Sequence, residues 1–301
     1  MDRRHSLKLL AALGLLPVAG ANAWSQTTMM KRNIPGTSEQ LPVVGVGTWE
    51  TFDVTASQHT LLNELKEVLK VLHEKGGAVI DSSPMYGFAE KNVGQLSAEL
   101  SINKKLFLAT KVWTQGREQG ITQMNKSLEL MKRSQIDLMQ VHNLVDWPTH
   151  MKTLREWKDK AKARYIGITH YQTDAYAEME KIMKTEPIDF IQVNYNVLDR
   201  DSANRLLPLA QEKKLGVIIS QPFGYGKLFQ RVKNKTLPAW TAEFDCHSWA
   251  QFFLKFILAH PAVTCVIPGT GNPVHMADNV GAGFGRLPDA SHLTRMVKEL
   301  A

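Results

Sequence analysis

The stretch Val79-Ile80-Asp81-Ser82-Ser83-Pro84-Met85-Tyr86-Gly87 decides how the chain is read. Ala78, Val79 and Ile80 read as the end of a buried strand, and Asp81 stands where that strand should stop. Ser82-Ser83-Pro84 forces a turn, because a proline ring bars the residue before it from helical backbone. Tyr86 follows five residues after the acid, beside a flexible Gly87. A carboxylate at a strand end and a phenol on the loop beyond it suit proton chemistry at the mouth of an α/β barrel, where several strand ends converge. Two later strand ends supply partners. Residues 107–110 run into Lys111, and residues 136–141 run into His142.

Outward from that stretch the chain alternates. Apolar residues at 61, 62, 65, 68, 69 and 72 have a helical period, and Gly76-Gly77 ends the helix expected over 57–75. Strands are expected at 43–47, 78–81, 105–110, 136–141, 165–168, 190–193, 216–219 and 263–267. Helices are expected at 90–100, 121–132, 149–161, 173–185, 202–213, in a stretch ending at His260, and at 273–280 and 290–300. A longer excursion, 224–245, follows the seventh strand, and residues 30–41 suggest a short hairpin over one end of the domain. The strand segments are short and almost continuously apolar, as parallel strands covered on both faces should be. No Gly-x-Gly-x-x-Gly follows the first strand, which argues against a doubly wound dinucleotide domain. The α/β class that remains is a single (β/α)8 TIM barrel with an N-terminal hairpin.

The first residues stand apart. Arg3-Arg4 precedes an apolar run over 9–20, and Ala21-Asn22-Ala23 offers a small-x-small cleavage site before Trp24. This is the layout of a secretory leader, and the arginine pair resembles a twin-arginine signal, although Ser6 stands where Phe is usual. Gly14 and Pro17 break the run, which is too short for a stable membrane span. The expected organisation is a signal peptide at 1–23 and the barrel at 24–301, destined for the periplasm through the twin-arginine export machinery. An uncleaved membrane tether is the other reading. The two cysteines, Cys246 and Cys265, form no disulfide framework.

Composition sets further limits. With 301 residues, 44% hydrophobic and 22% charged, the chain has the make-up of a soluble globular protein. Of the net +7, Arg3, Arg4 and Lys8 less Asp2 contribute +2, leaving a mild +5 for the rest. No run of Lys and Arg interleaves with aromatics, so nucleic-acid binding is not expected. No His-x-x-x-His or Cys-x-x-Cys arrangement suggests a metal.

Six stretches carry a resemblance: residues 41–49, Asp81 through Tyr86-Gly87, Thr110-Lys111-Val112-Trp113, Gln140-Val141-His142-Asn143, Gln192-Val193-Asn194-Tyr195-Asn196 and Ile267-Pro268-Gly269-Thr270. In this order and spacing they resemble the aldo/keto reductases over nearly the whole chain beyond residue 30. The resemblance implies reduction of an aldehyde or ketone by a nicotinamide cofactor, with NADP as the family default and NAD not excluded. It implies a small-molecule carbonyl substrate and a monomer. It assigns Tyr86 as proton donor, Lys111 and Asp81 as the pair that tunes it, and His142 as the group that orients the carbonyl.

The chemistry of those residues agrees with the assignment. A free tyrosine has a pKa near 10. A nearby ammonium favours the phenolate, and Lys111 held by Asp81 is expected to lower the Tyr86 pKa in this way. Singly, each residue has a plainer use: a turn acid, a half-buried tyrosine, a solvated lysine, a polar cap after a strand. Their placement on successive strand ends of one barrel favours the functional reading.

The resemblance places the cofactor among Gly47, Thr48 and Trp49 at the first strand end, Thr169 and His170 after the fifth, and Gln192 on the sixth. After the seventh strand it adds Ser220, Pro222, Phe223 and Gly224, and after the eighth Pro268, Gly269 and Thr270, with His275, Asp278 and Asn279 on the following helix. Thr169-His170 replaces the family's usual Ser-Asn. Ser220 stands where an aromatic residue usually stacks on the nicotinamide, so that face is lost unless Phe223 or Tyr225 moves in. Gly269 and His275 stand where Lys and Arg often grip the 2′-phosphate, which leaves the choice between NADP and NAD open. Trp113 and Trp147 could wall an apolar substrate pocket or serve as packing aromatics. These departures motivate two further readings, a nicotinamide-binding redox sensor and a non-catalytic barrel scaffold.

Overall fold

The computed structural model describes residues 28–300; the expected leader lies outside them. Eight parallel strands stand in chain order around a barrel: β3 (Val46–Gly47), β4 (Val79–Asp81), β5 (Phe107–Val112), β6 (Ile136–His142), β7 (Ala163–Thr169), β8 (Phe190–Asn194), β9 (Gly216–Ser220) and β10 (Cys265–Val266). Parallel bridges Val44↔Val266 and Gly47↔Gly269 join the last strand to the first and close the ring. Helices return the chain after each strand: α1 (His59–Glu74), α2 (Ala89–Glu99), α3 (Arg117–Leu130), α4 (Trp147–Asp159), α5 (Tyr176–Thr185), α6 (Asp201–Glu212), α8 (Trp249–Leu258) and α9 (Pro273–Gly281). The long connection after β9 carries a short α7 (Lys227–Arg231), and α10 (Ala290–Glu299) comes last.

The expected hairpin is β1 (Lys31–Asn33) paired antiparallel with β2 (Gln40–Pro42). Ile34 and Leu41 pack with Val79, Phe107, Leu138 and Phe190 in one buried cluster, so the hairpin plugs the barrel floor. The guanidinium of Arg32 donates to the carbonyls of Leu258, His260 and Val263, satisfying acceptors that the end of α8 leaves free.

Strand alternation sorts the barrel interior. Register pairs Lys111 with Gln140, His142 with Thr169, Thr169 with Gln192, and Asn194 with Ser220. Side chains two apart share a face. Inward positions are therefore apolar low on each strand (Phe107, Leu138, Phe190, Ile218) and polar near the mouth (Asp81, Lys111, Gln140, His142, Thr169, Gln192, Asn194). The Phe190 ring fits because β9 offers no side chain beside it. A Cβ built on Gly216 would lie 2.3 Å from that ring.

Some boundaries differ from expectation. The third barrel strand runs Phe107–Val112 rather than 105–110, because Asn103–Lys105 form a 3-10 turn whose Asn103 amide is held by Met131 O and Ser97 Oγ. Lys111 accordingly lies within the strand, not beyond it. The last strand is Cys265–Val266 rather than 263–267. Helix α3 begins at Arg117, four residues before the expected start, after Gly116 turns with a positive φ of 83°. Both cysteines are buried free thiols.

Candidate active site

At the mouth, Lys111 Nζ donates to Asp81 Oδ2 at 2.7 Å and to Ser82 O at 2.6 Å. Both side chains are almost fully buried. Two glutamines brace the acid: Gln192 Nε2 donates to Asp81 Oδ2 at 3.1 Å and Gln140 Nε2 to Asp81 Oδ1 at 3.4 Å, and the two amides bond each other at 3.0 Å. Thr48 holds the same strand end, its hydroxyl donating to Asp81 O and Ser82 Oγ. Lys111 Nζ lies 5.3 Å from the centroid of the Tyr86 ring, and the Tyr86 ring meets His142 edge-on at 5.8 Å. Asp81, Tyr86, Lys111 and His142, drawn from three strand ends, thus stand together.

The electrostatics depart from expectation at one point. Burial, then the Asp81 carboxylate, then Tyr225 push the Tyr86 phenol well above its ordinary pKa. The ammonium does not lower it, because Lys111 is consumed by Asp81 and the phenol sits in a desolvated wall. Burial likewise lowers Lys111, against the opposing pull of Asp81. Burial, with the Lys111 and His170 charges behind it, lowers the His142 pKa to about 2, so its ring is neutral in the working range. Ser83 Oγ lies 3.0 Å from His142 Nδ1. With that hydroxyl donating to Nδ1, the proton sits on Nε2 and the ring becomes a hydrogen-bond donor.

The expected cofactor residues divide. Thr169 is buried at the end of β7. His170 is half-buried and stacks on Tyr171 at 5.7 Å, its Nδ1 accepting from Gln172 N. Ser220 Oγ donates to Asn194 Oδ1 at 3.0 Å. Phe223 does not take the place of the aromatic residue missing at Ser220: its ring packs against Phe229 at 4.8 Å and near Phe253, within an aromatic cluster on α7 and α8. Tyr225 does reach the mouth, where it meets Trp49 edge-on at 5.4 Å, and Pro222 and Gly224 shape the loop between.

Pro268 O accepts from Gly47 N as the barrel closes, and Thr270 Oγ1 accepts from Asn272 N before α9. A side chain on Gly269 would meet nothing closer than Gly47 O at 3.5 Å, so backbone here is open to approach. Asn272 caps α9, whose dipole favours an anion. His275 is exposed on its first turn, Asn279 is buried, and Asp278 accepts from Gln251 Nε2 at 2.8 Å. These groups fit a phosphorylated cofactor at the α9 end and a carboxamide at Thr169 and His170.

Trp113 stands beside His142 at 6.4 Å. Trp147 is half-buried against the hydrophobic core, and its indole N–H donates to Glu178 on α5. Gln140, Asn194 and Ser83 were not singled out for roles by sequence reasoning. The signal for the first two was parity, since each lies two residues from a recognised inward-facing residue, His142 or Gln192.

Residues 43–295 match the sequence profile described as the Aldo/keto reductase family. Aldo-keto reductase YhdN of Bacillus subtilis (strain 168) is 26% identical over 218 residues, covering 65% of this chain and 61% of that protein. The NADH-specific methylglyoxal reductase of Escherichia coli (strain K12) is 25% identical over 329 residues, covering 90% and 98%. An aldo-keto reductase from Klebsiella pneumoniae in complex with NADPH superposes with a TM-score of 0.75 at 22% identity, over 90% and 96% of the two chains. A polar, proton-handling mouth on a closed barrel and a profile match over most of its length lead to one statement: the chain belongs to the aldo/keto reductase family.

Proposed function

We propose that Tyr86 delivers a proton to the carbonyl oxygen of an aldehyde or ketone, which His142 orients, in a NAD(P)H-dependent reduction. The observation that carries this is the meeting of Asp81, Lys111, Tyr86 and His142 at one barrel mouth. The protein is an oxidoreductase of the aldo/keto reductase family. Bound NAD(P)H supplies the hydride. Thr169 and His170 would hold the carboxamide end, and Gly269, Thr270 and the start of α9 the phosphates.

The neutral His142 presents Nε2–H to the substrate oxygen and fixes its direction. Tyr86, kept protonated by burial, gives up its proton only as an alkoxide, a far stronger base, develops on that oxygen. The phenolate that forms lies beside the Asp81–Lys111 pair, with Lys111 Nζ 5.3 Å from the centroid of its ring. Titrating the tryptophan fluorescence with NADPH and with NADH tests the cofactor half of this reading. Saturable binding of either is expected. The exposed His275 and the bare Gly269 predict less than tenfold preference for NADPH, since neither clamps a 2′-phosphate bidentately.

We further propose that a monomer is exported through the twin-arginine route, folded around its cofactor, to the periplasm. Arg3-Arg4, the apolar run and Ala21-Asn22-Ala23 support this. Cell fractionation tests it: protein beginning at Trp24 in the periplasmic fraction is expected, and full-length protein confined to the cytoplasm would refute it.

A further inference from the structure

Trp113 stands one residue past β5, exposed, with its ring 6.4 Å from that of His142. The ladder between β5 and β6 ends at Val112↔Val141, so the Trp113 amide and carbonyl lie beyond the sheet. A strand end left in that state opens readily, and its side chain moves with it. Here one side chain takes both groups. Gln123, half-buried in the second turn of α3, accepts from Trp113 N through Oε1 at 2.6 Å and donates through Nε2 to Trp113 O at 3.1 Å. A carboxamide that meets the N–H and the C=O of one residue does what a paired strand residue does, and two bonds fix rotation as well as position.

The residues that follow are tied down from the other side. His150 Nε2, on α4, donates to Thr114 O at 2.7 Å, and Gly116 N donates to Asp146 Oδ2 at 2.8 Å. Those anchors hold the far end of the connection. Among the described residues, Gln123 is the side chain that bonds the Trp113 backbone. It belongs to the helix layer outside the ring of strands, and both ends of its amide are used on Trp113. Any effect it has on the reaction therefore passes through the indole beside His142.

We infer that Gln123 is a positioning residue for the reaction: by clasping the Trp113 backbone it fixes the indole beside His142, and with it the face against which the carbonyl substrate lies. The inference rests on carbonyl reduction at Tyr86 as proposed above. The indole meets the substrate before and during the reaction alike, so releasing the clasp should raise KM and spare kcat.

The test compares Gln123→Leu, which keeps the volume and loses both bonds, with Gln123→Glu, which keeps an acceptor for Trp113 N. The probe is para-nitrobenzaldehyde with NADPH. In Gln123→Leu, KM should rise about tenfold, with kcat and NADPH affinity within about twofold of native, and Gln123→Glu should recover part of the change. Adding Gln123→Leu to Trp113→Ala should change KM no further. With fluorotryptophan incorporated, the Trp113 fluorine line, assigned by its absence in Trp113→Phe, should shift and narrow in Gln123→Leu and do so less in Gln123→Glu. An unchanged KM overturns the inference and leaves Gln123 a structural clasp, whether or not the urea midpoint falls. An equal rise in KM on the Trp113→Ala background overturns it too, since the side chain would then act by another route. If the native protein reduces no carbonyl, the proposed function fails instead. The fluorine line then decides what remains: a shift supports Gln123 as the residue that sets the indole, and an unmoved line overturns it.

Discussion

Ser83 Oγ lies 3.0 Å from Nδ1 of His142, on the loop that also carries Tyr86. The serine is buried, and with its hydroxyl donating to Nδ1 the imidazole proton sits on Nε2. Ser83→Ala removes that donor and should lower kcat about tenfold while leaving cofactor affinity unchanged. Nitrogen chemical shifts of His142 should show a mixture of tautomers in the variant. An unchanged kcat and a single tautomer would mean that the ring is held by packing alone.

Neutral His142 also makes a prediction about stability. Its folded pKa, about 2, lies below the ordinary 6.5. Above pH 6.5 the ring is neutral in both folded and unfolded chains and contributes nothing to the pH dependence. Below it the unfolded chain takes up a proton that the folded chain refuses, so stability falls with pH at about 1.4 kcal/mol per unit for this group. Urea midpoints of the native protein and of His142→Asn at pH 7 and pH 5 isolate the effect. The variant should gain relative to the native protein by about 2 kcal/mol on going to pH 5. A constant difference would place the ring in contact with solvent.

Tyr86→Phe removes the acid and little else, since the phenol makes no hydrogen bond among the described residues and its ring keeps the edge contact with His142. Reduction should fall by about 10²–10⁴, with NADPH affinity within twofold of the native value. Because burial raises the phenol's pKa, the native enzyme should also show no alkaline loss of reductive activity from Tyr86 below about pH 10. An alkaline limb near pH 8 that disappears in Tyr86→Phe would show the phenol to be tuned downward after all.

How much of this was legible beforehand varies with how local the cause is. Asp81, Lys111 and His142 could be found because each closes a recognisable apolar run, and Tyr86 because a Ser-Pro turn precedes it. The eight-strand count and the floor hairpin rest on the same local patterns. The direction of the Tyr86 shift was not legible: it depends on how dry the wall is and on Lys111 already being taken by Asp81, both long-range facts. Which way Phe223 and Trp147 turn was not legible for a similar reason. A residue on a connection can turn its ring either into the mouth or back onto the helices, and here Phe229 and Phe253 draw one back while Glu178 holds the other.

The ion pair under the site has a stability role that separates from catalysis. Lys111→Met would leave the Asp81 carboxylate buried with only two amide donors from side chains. A cost of about 3–5 kcal/mol is expected, seen as a lowered urea midpoint. Adding Asp81→Asn removes the stranded charge and should recover a large part of the loss, although activity stays low in both. Additive losses in the double variant would mean that the two groups do not compensate each other.

The last prediction concerns the barrel interior beneath the polar mouth. Gly216 leaves room for the Phe190 ring: a Cβ there would stand 2.3 Å from Cε1 and 2.6 Å from Cδ1 of that ring. Phe190 is fully buried, and Gly167 on the other flanking strand lies against its backbone carbonyl and Cβ. Gly216→Ala should therefore cost about 1–3 kcal/mol as an overpacked core does. Phe190→Leu alone should also destabilise, by opening a void. Together the two should cost less than their sum, because the smaller ring position accepts the new methyl group. A double-mutant cycle on urea midpoints reads that coupling, and strict additivity would show that the barrel yields by moving strands instead of by exchanging side-chain volume.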